Sequence, residues 1–291
     1  MEYLRGNATA SATGLYVICR YLSGIDGGQK EDDLRLALEV LRTLNTSQDE
    51  ASAVLKASLA VGEGLGLITR TDARSPWIAD KDIVHQLGVA EDTWPWFRGE
   101  LLFRIGSHAM KVLAVDKKVP DLALGLAWLL QQSPLRPLQL AWGSGPEQMV
   151  RDIGFEAVSR SEQWRPFQRW AVATGLARRC DQPGLRVLIP DATTAILDQL
   201  PNLPRSATAS DWLATLQARL PFLGAMALLN ELPREGSQWK QLPPGVAIGL
   251  LKLEKRNVLL LEPSDDATDV VPIDLGGAVR QVGRISVEGL K

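Results

Sequence analysis

The sequence contains few of the residues from which most catalytic and metal-binding sites are built. It has two histidines and two cysteines in 291 residues. His85 and His108 form no H-x-x-H or H-E-x-x-H motif, and Cys19 and Cys180 have no partner at metal-ligand spacing. This pattern argues against a zinc site and a disulfide scaffold, and it is typical of a reducing compartment.

The glycine-rich stretches also lack the spacing of known phosphate-binding or nucleophile motifs. SGIDGGQK has a lysine but not the G-x-x-x-x-G-K-[ST] spacing, and no G-x-S-x-G elbow occurs. We therefore expect a protein that is not an enzyme, with no catalytic residues, no metal, no cofactor and no small-molecule substrate.

A strong charge of either sign and a long apolar run are absent as well. The formal net charge is -2, so no global basic field draws the chain to nucleic acid or to an anionic membrane. No run reaches the roughly 18 to 20 apolar residues that a membrane span needs, and the N-terminus lacks the features of a signal peptide. These observations predict a cytoplasmic protein without a membrane partner.

Three stretches of the chain share one order of predicted elements. Each has an apolar helix, a Gly or Asn stop, a short apolar strand, a polar turn and a second strand, within 46–80, 166–189 and 243–287. Helices followed by a β-hairpin indicate a winged helix. The predicted fold class is mainly α with small β-hairpins, as tandem winged-helix-like modules.

The breaks between these stretches predict three domains. They are an N-terminal winged-helix-like module at 1–80, a middle winged-helix-like module with extra helices at 81–205, and a C-terminal winged-helix-like module at 206–291.

The middle stretch, FQRWAVATGLARRCDQPGLRVLIPD, carries the clearest pattern. Pro166 suits the first turn of a helix, and Gly175 suits the left-handed position at its end. Two strand-like arms then flank a turn at 181–184. Arg178, Arg179 and Arg186 are therefore predicted to lie on a hairpin that follows a helix.

Local charge singles out this middle stretch as a candidate nucleic-acid-binding segment. The corresponding helix of the first module, 48–62, carries -1, and that of the third, 244–257, carries +2 at its C-terminal end. Residues 160–186 hold six arginines against Glu162 and Asp181, which leaves +4. The candidate phosphate-binding residues are Arg160, Arg165, Arg169, Arg178, Arg179 and Arg186. A protein-docking surface rich in arginine remains an alternative interpretation of the same residues.

Nine tryptophans against five phenylalanines and three tyrosines is an unusual ratio. We interpret them mainly as core anchors, and the sequence does not show which of them could stack on a base.

With three modules recognised, the chain resembles the DpdG proteins of bacterial Dpd gene clusters. The resemblance lies in FQRWAVATGLARR…VLIPDATTAILDQL, SDWLATLQARLPFL and LPPGVAIGLLKLEKRNVLLLEP. Dpd clusters install 7-deazaguanine derivatives in DNA, and some of their genes are thought to restrict unmodified DNA. The resemblance implies a non-catalytic subunit of such a DNA-modification or antiviral defence (restriction) system. Its partners would be other subunits of that system, with double-stranded DNA as a further candidate. A free-standing winged-helix transcription regulator is the alternative.

Overall fold

A computed structural model describes residues 2–38, 48–89, 91–233, 239–240, 242–264, 270–275 and 279–289. Within these ranges the chain is mainly α-helical, and its strands form three small antiparallel sheets. The prediction of a mainly α fold with small β elements is confirmed at this level. Among the helices of these ranges, none combines the length and apolar character that crossing a bilayer requires.

The N-terminal part of the chain places three helices before a short hairpin. These elements are α1 (Ala12–Leu22), α2 (Glu31–Leu38), α3 (Gln48–Gly64), β1 (Ile68–Thr69) and β2 (Ile78–Ala79). The Ser11 hydroxyl begins α1 by accepting a 3.0 Å hydrogen bond from the Gly14 amide. Gln29, which precedes α2, exchanges backbone hydrogen bonds of 2.9 and 2.8 Å with Trp77. The hairpin predicted after α3 is confirmed, with Gln29 as an added partner.

The middle part of the chain contains the elements that build the candidate site. They are α4 (Lys81–Val89), α5 (Trp94–Leu113), α6 (Asp121–Gln131), β3 (Leu138–Gln139), α7 (Pro146–Asp152), α8 (Ser161–Ala173), β4 (Ala177–Gln182), β5 (Leu185–Pro190) and α9 (Thr193–Gln199). The sheet has the order β3-β5-β4. Gly175 has a φ of 75°, as predicted for the end of the helix, and Gly184 in the hairpin turn has a φ of 79°.

The predicted start of α8 at Pro166 is wrong by more than one turn. The helix begins at Ser161, and Pro166 lies inside it. The Gln163 side chain accepts hydrogen bonds from the amides of Ser159 (2.7 Å) and Arg160 (3.1 Å), which holds the chain at the helix start. Pro166 is the sixth residue of the helix and lies beyond the first turn, where proline is best tolerated, so α8 lacks the backbone hydrogen bond that an N–H at this position would donate. Because α8 is longer than predicted, Arg165 belongs to the helix.

The C-terminal part of the chain combines helices with a small sheet. Its elements are β6 (Ser206–Thr208), α10 (Ala209–Arg219), α11 (Met226–Leu229), α12 (Pro244–Lys255), β7 (Leu259–Pro263), β8 (Val271–Ile273) and β9 (Arg280–Val287). The strand order is β6-β9-β7, and β8 also pairs with β9. Asn257 has a φ of 56° between α12 and β7, as its position after the helix predicts.

Large aromatic side chains fill the core. Five tryptophans are at most 2% exposed, namely Trp77, Trp128, Trp164, Trp170 and Trp212. The prediction that tryptophans anchor the core is confirmed for these five. Buried side chains from all three predicted modules belong to one core cluster. The module boundaries themselves stay a prediction.

Candidate nucleic-acid interface

The six predicted arginines lie on α8 and on the hairpin that follows it, and all six are exposed. Arg160 directly precedes α8, and Arg165 and Arg169 lie four residues apart on the outer face of the helix. Arg178 and Arg179 lie on β4, whereas Arg186 lies on β5. The segment that the local charge singled out is therefore one continuous helix-and-hairpin unit.

Four of these arginines line one concave surface between α8 and the hairpin, with a volume of about 740 Å³. We call this surface the arginine groove. Its basic residues are Arg165 and Arg169 from α8, and Arg179 and Arg186 from the hairpin. Positive charge from two elements thus converges on one groove in a chain that is slightly acidic overall.

The pairing of β4 with β5 explains why Arg179 and Arg186 share a face. Asp181 lies directly opposite Arg186 in the antiparallel register, and Arg179 is two residues from Asp181 on the same strand. Residues two apart on a strand point to the same side of a sheet, and so do residues paired directly across it. The register therefore turns Arg179, Asp181 and Arg186 toward the groove.

Arg178 lies on the opposite side of β4 and does not line the groove. Its Nε atom is 2.9 Å from Oδ2 of Asp191, a carboxylate that is buried and also lies 2.6 Å from Nζ of Lys252 on α12. Burial opposes the charged form of Asp191, but the hydrogen bonds from Lys252 and Thr193 outweigh it and hold its pKa below the ordinary value. Arg178 thus helps to join the hairpin to α12. Arg160 is exposed but also lies outside the groove lining.

Asp181 is an internal counter-ion for two of the groove arginines. Its carboxylate pairs with Arg179, and its Oδ1 atom accepts a 2.6 Å hydrogen bond from Nε of Arg186. Hydrogen bonds from Arg179 and Arg186 lower the pKa of Asp181, so this carboxyl group remains ionised at neutral pH. A phosphate that bound these two arginines would compete with a carboxylate already in place.

Replacing Asp181 by asparagine is therefore expected to strengthen the binding of a polyanion to the groove. Without the negative charge of Asp181, the groove gains about one unit of positive charge for binding phosphate. This gain corresponds to roughly fivefold tighter binding of DNA near 0.1 M salt. Fluorescence anisotropy with labelled DNA measures the change, and Asp152→Asn, an exposed carboxylate bonded to Gln148, is the matched control. Equal affinities for wild type and Asp181→Asn would contradict the role of Asp181 as a competing ion.

A half-buried tryptophan, Trp142, lies at the edge of the arginine groove. Its ring packs against buried Trp164, with 5.9 Å between the ring centroids. The residues before it are held firmly, because Trp164 Nε1 (2.9 Å) and Gln168 Nε2 (2.8 Å) both donate to the Leu140 carbonyl. The Leu140 amide in turn donates to the carbonyl of Arg186 (2.9 Å). The loop that carries Trp142 is thus bonded to both α8 and β5.

Residues 3–10, which we call the N-terminal arm, reach the groove at Ala8 and Thr9. Nη2 of Arg169 donates a 2.6 Å hydrogen bond to the Ala8 carbonyl, and Ala8 and Thr9 line the groove. Thr9 also donates through its hydroxyl to the Ala53 carbonyl of α3 (3.2 Å). The arm therefore connects the outer face of α8 to the N-terminal helices.

Asp121 at the start of α6 anchors the beginning of this arm. Its carboxylate accepts hydrogen bonds from the amides of Tyr3 (2.7 Å), Leu4 (2.9 Å), Arg5 (3.2 Å) and its neighbour Leu122 (2.8 Å). The Tyr3 ring meets the edge of the buried Trp170 ring with centroids 6.1 Å apart. This arrangement places the arm beside α8.

Sequence reasoning missed Trp142 and the arm as parts of the site. Trp142 lies in the short glycine-rich stretch AWGSG that precedes α7, and its two glycines are the signal that could have separated it from the tryptophans on helices. The arm has no comparable signal, because its anchor Asp121 is 118 residues away from Tyr3 in the chain.

The described residues contain no group of three or more His, Cys, Asp and Glu side chains arranged to hold a metal ion. Burial raises the pKa of the Cys19 thiol to about 12, so this thiol remains protonated at neutral pH. Burial also lowers the pKa of His108. Neither residue lines the arginine groove.

Comparison with known proteins identifies a family. Residues 3–267, which are most of the chain, match the model of the family described as DpdG-like. No curated protein and no solved structure matches the chain.

Proposed function

The chain belongs to the DpdG-like family, and from this membership we propose that it is a non-catalytic subunit of a bacterial DNA-modification and antiphage restriction system. In this role it bridges partner proteins of the Dpd system and contacts the DNA backbone. The single observation that carries the DNA contact is the arginine groove. Guanidinium groups are suited to phosphate because they present several N–H donors in a planar fork.

The order of the middle elements supports a winged-helix interpretation of this unit. Helices α6, α7 and α8 are followed by the β4–β5 hairpin, and β3 adds to the hairpin as a third strand. A winged helix combines a helix-turn-helix with such a hairpin, and its second helix, here α8, is the element that usually approaches DNA. The N-terminal part has a similar order, since α1, α2 and α3 precede β1 and β2 and Gln29 pairs beside the hairpin.

The contacts of α8 favour a subunit over a free-standing transcription regulator. A regulator of this class lays its recognition helix in the major groove and reads base edges from the N-terminal part of that helix. In α8 this part carries Glu162, an acid at the rim of the arginine groove that a base-reading helix would bring close to the phosphates. The opposite end is held to Ala8 of the arm through Arg169. The arginine groove of the protein can contact phosphates while α8 stays outside the major groove of the DNA.

The test is DNA binding by the full chain with and without the groove arginines. We expect the triple variant Arg165→Glu, Arg179→Glu, Arg186→Glu to bind labelled DNA at least about 100-fold more weakly, because it reverses three phosphate contacts. Arg169 stays unchanged, since it also holds the arm. For wild type, four groove arginines predict a slope of about -3 in the logarithm of affinity against that of salt concentration. Anisotropy at low and physiological salt measures both quantities.

A control of equal charge separates the groove from a general effect of net charge. Lys117→Glu, Arg205→Glu, Arg256→Glu makes the same charge change at exposed residues outside the groove. This variant is expected to bind within about threefold of wild type. A wild-type protein that binds no DNA at low salt would overturn the proposed DNA contact, and the arginine groove would then be interpreted as a protein-docking surface.

A further inference from the structure

The arginine groove, with a volume of about 740 Å³, is small for a surface that receives a duplex. B-DNA admits an α-helix into a major groove about 12 Å wide, which a helix with its side chains, about 10–12 Å across, nearly fills. Arg169 on the outer face of α8 is hydrogen-bonded to Ala8, and Thr9 also lines the groove. A helix α8 that entered a major groove would therefore have to carry this part of the arm with it or break that bond.

The same dimensions suit a single strand. The groove volume of about 740 Å³ lies within the range of pockets that enclose ligands, roughly 300–1,000 Å³. Basic side chains line it from both the helix and the hairpin, so a strand between them would have guanidinium groups on either side. An unpaired strand is also flexible enough to turn its phosphates toward these groups and its bases away from them.

Trp142 supplies the second element that single-strand binding uses. Proteins that bind unpaired DNA combine a positively charged groove for the backbone with aromatic rings on which bases stack. Trp142 lies beside the four arginines, is only partly buried, and is supported from behind by Trp164. Its loop is fixed through Leu140, so the ring is already in place and need not be ordered on binding.

We propose that the arginine groove binds an unpaired strand of DNA, with one base stacked on Trp142 and the neighbouring phosphates held by Arg165, Arg179 and Arg186. This inference rests on the proposed DNA contact and names its substrate. The carboxylate of Asp181 is displaced from the two hairpin arginines when the phosphates bind.

The experiment compares a labelled oligodeoxythymidine of about 15 nucleotides with a duplex of the same length, using the full chain. Wild type is expected to bind the single strand at least about tenfold more tightly than the duplex. Trp142→Ala is expected to weaken single-strand binding by roughly 10- to 100-fold, the range observed for loss of one base–aromatic stack, and to leave duplex binding within about twofold. Trp142→Phe keeps an aromatic ring and is expected to restore most of the affinity.

The same variants distinguish a loss of DNA binding from a loss of folding. A circular dichroism melt shows whether each variant is folded, and Trp142→Phe tests stacking even if Trp142→Ala is unstable. Wild-type tryptophan emission should be quenched by the oligonucleotide, and the quench should shrink in Trp142→Phe because the stacked indole is gone.

The outcomes distinguish this inference from the proposed function. Duplex binding that equals or exceeds single-strand binding, is lost in the triple arginine variant and is unaffected by Trp142→Ala would overturn the inference and leave the DNA contact in place. Binding of neither probe would overturn both. Single-strand preference that disappears in Trp142→Ala and returns in Trp142→Phe supports the inference.

Discussion

Replacing Asp121 by alanine is expected to lower the free energy of unfolding by about 3–5 kcal/mol. The carboxylate is only 4% exposed and accepts hydrogen bonds from four backbone amides, those of Tyr3, Leu4, Arg5 and Leu122. Alanine removes the acceptor and leaves the buried donors without one, and each unsatisfied buried donor costs about 1–3 kcal/mol. The arm can partly escape this penalty by detaching into water, which limits the total to the stated range.

Urea denaturation of the full chain measures this change, and limited proteolysis within the arm reports its release. Asp121→Asn retains one acceptor oxygen and should lie between wild type and alanine. Asp152→Ala is the matched control, because that carboxylate is exposed and bonds to a single side chain, Gln148. It should change stability by less than about 0.5 kcal/mol. A loss of under about 1 kcal/mol in Asp121→Ala would show that the arm is not held by this carboxylate.

Release of the arm also has a functional consequence. Ala8 and Thr9 close one end of the arginine groove, and Ala8 accepts from Arg169. Without its anchor the arm no longer restricts the outer face of α8. The ratio of single-strand affinity to duplex affinity should therefore be smaller in Asp121→Ala than in wild type. Asp121 is therefore linked to the arginine groove through a segment of about eight residues, 3–10, although the Asp121 side chain does not touch those of the groove arginines.

Local patterns predicted the parts of the site that depend on neighbouring residues. Gly175 ends a helix because only a residue without Cβ takes the left-handed conformation easily, and this is visible in the sequence. The hairpin turn predicted at 181–184 is equally local, although β4 continues through Gln182 and leaves only Pro183 and Gly184 as the turn. The charge excess of 160–186 is a simple count. These features are confirmed as elements, and four of the six arginines line one groove.

Features set by pairing between distant segments could not be predicted in the same way. Two adjacent arginines on a strand must point to opposite sides, but the sequence does not show that Arg178 meets Asp191 while Arg179 faces the groove. That choice depends on the position of Asp191, which follows β5 and also pairs with Lys252 on α12. Likewise the sequence does not predict β6, directly after the predicted boundary at 205, because its partner β9 is about 80 residues away. The predicted start of α8 at Pro166 differs from the observed start at Ser161. Proline is a strong signal of a helix start, and the capping hydrogen bond of Gln163 is a weaker one.

Replacing Gly175 by alanine is expected to lower the free energy of unfolding by about 2–5 kcal/mol. Its φ of 75° lies in the left-handed region, where a residue with a Cβ is less stable by about 1–2 kcal/mol. The added Cβ would also lie 2.8 Å from Cβ of Thr194 on α9, an overlap that costs a further 1–3 kcal/mol, roughly. The glycine completes the end of α8, where the Leu176 amide donates to the Ala171 carbonyl at 2.9 Å.

Gly184→Ala is the control that separates the two causes, because Gly184 has nearly the same φ, 79°, but no atom within 4 Å of an added Cβ. It should be destabilised only by the conformational strain, about 1–2 kcal/mol. Urea denaturation measures the loss in free energy of unfolding for both variants. The difference between the two losses is the cost of the overlap with Thr194, which we expect to be at least about 1 kcal/mol. Equal losses would mean that α9 yields to the new methyl group without strain. Because Gly175 joins α8 to β4, a shift there would also move Arg165 relative to Arg179, so DNA binding should weaken in Gly175→Ala and not in Gly184→Ala.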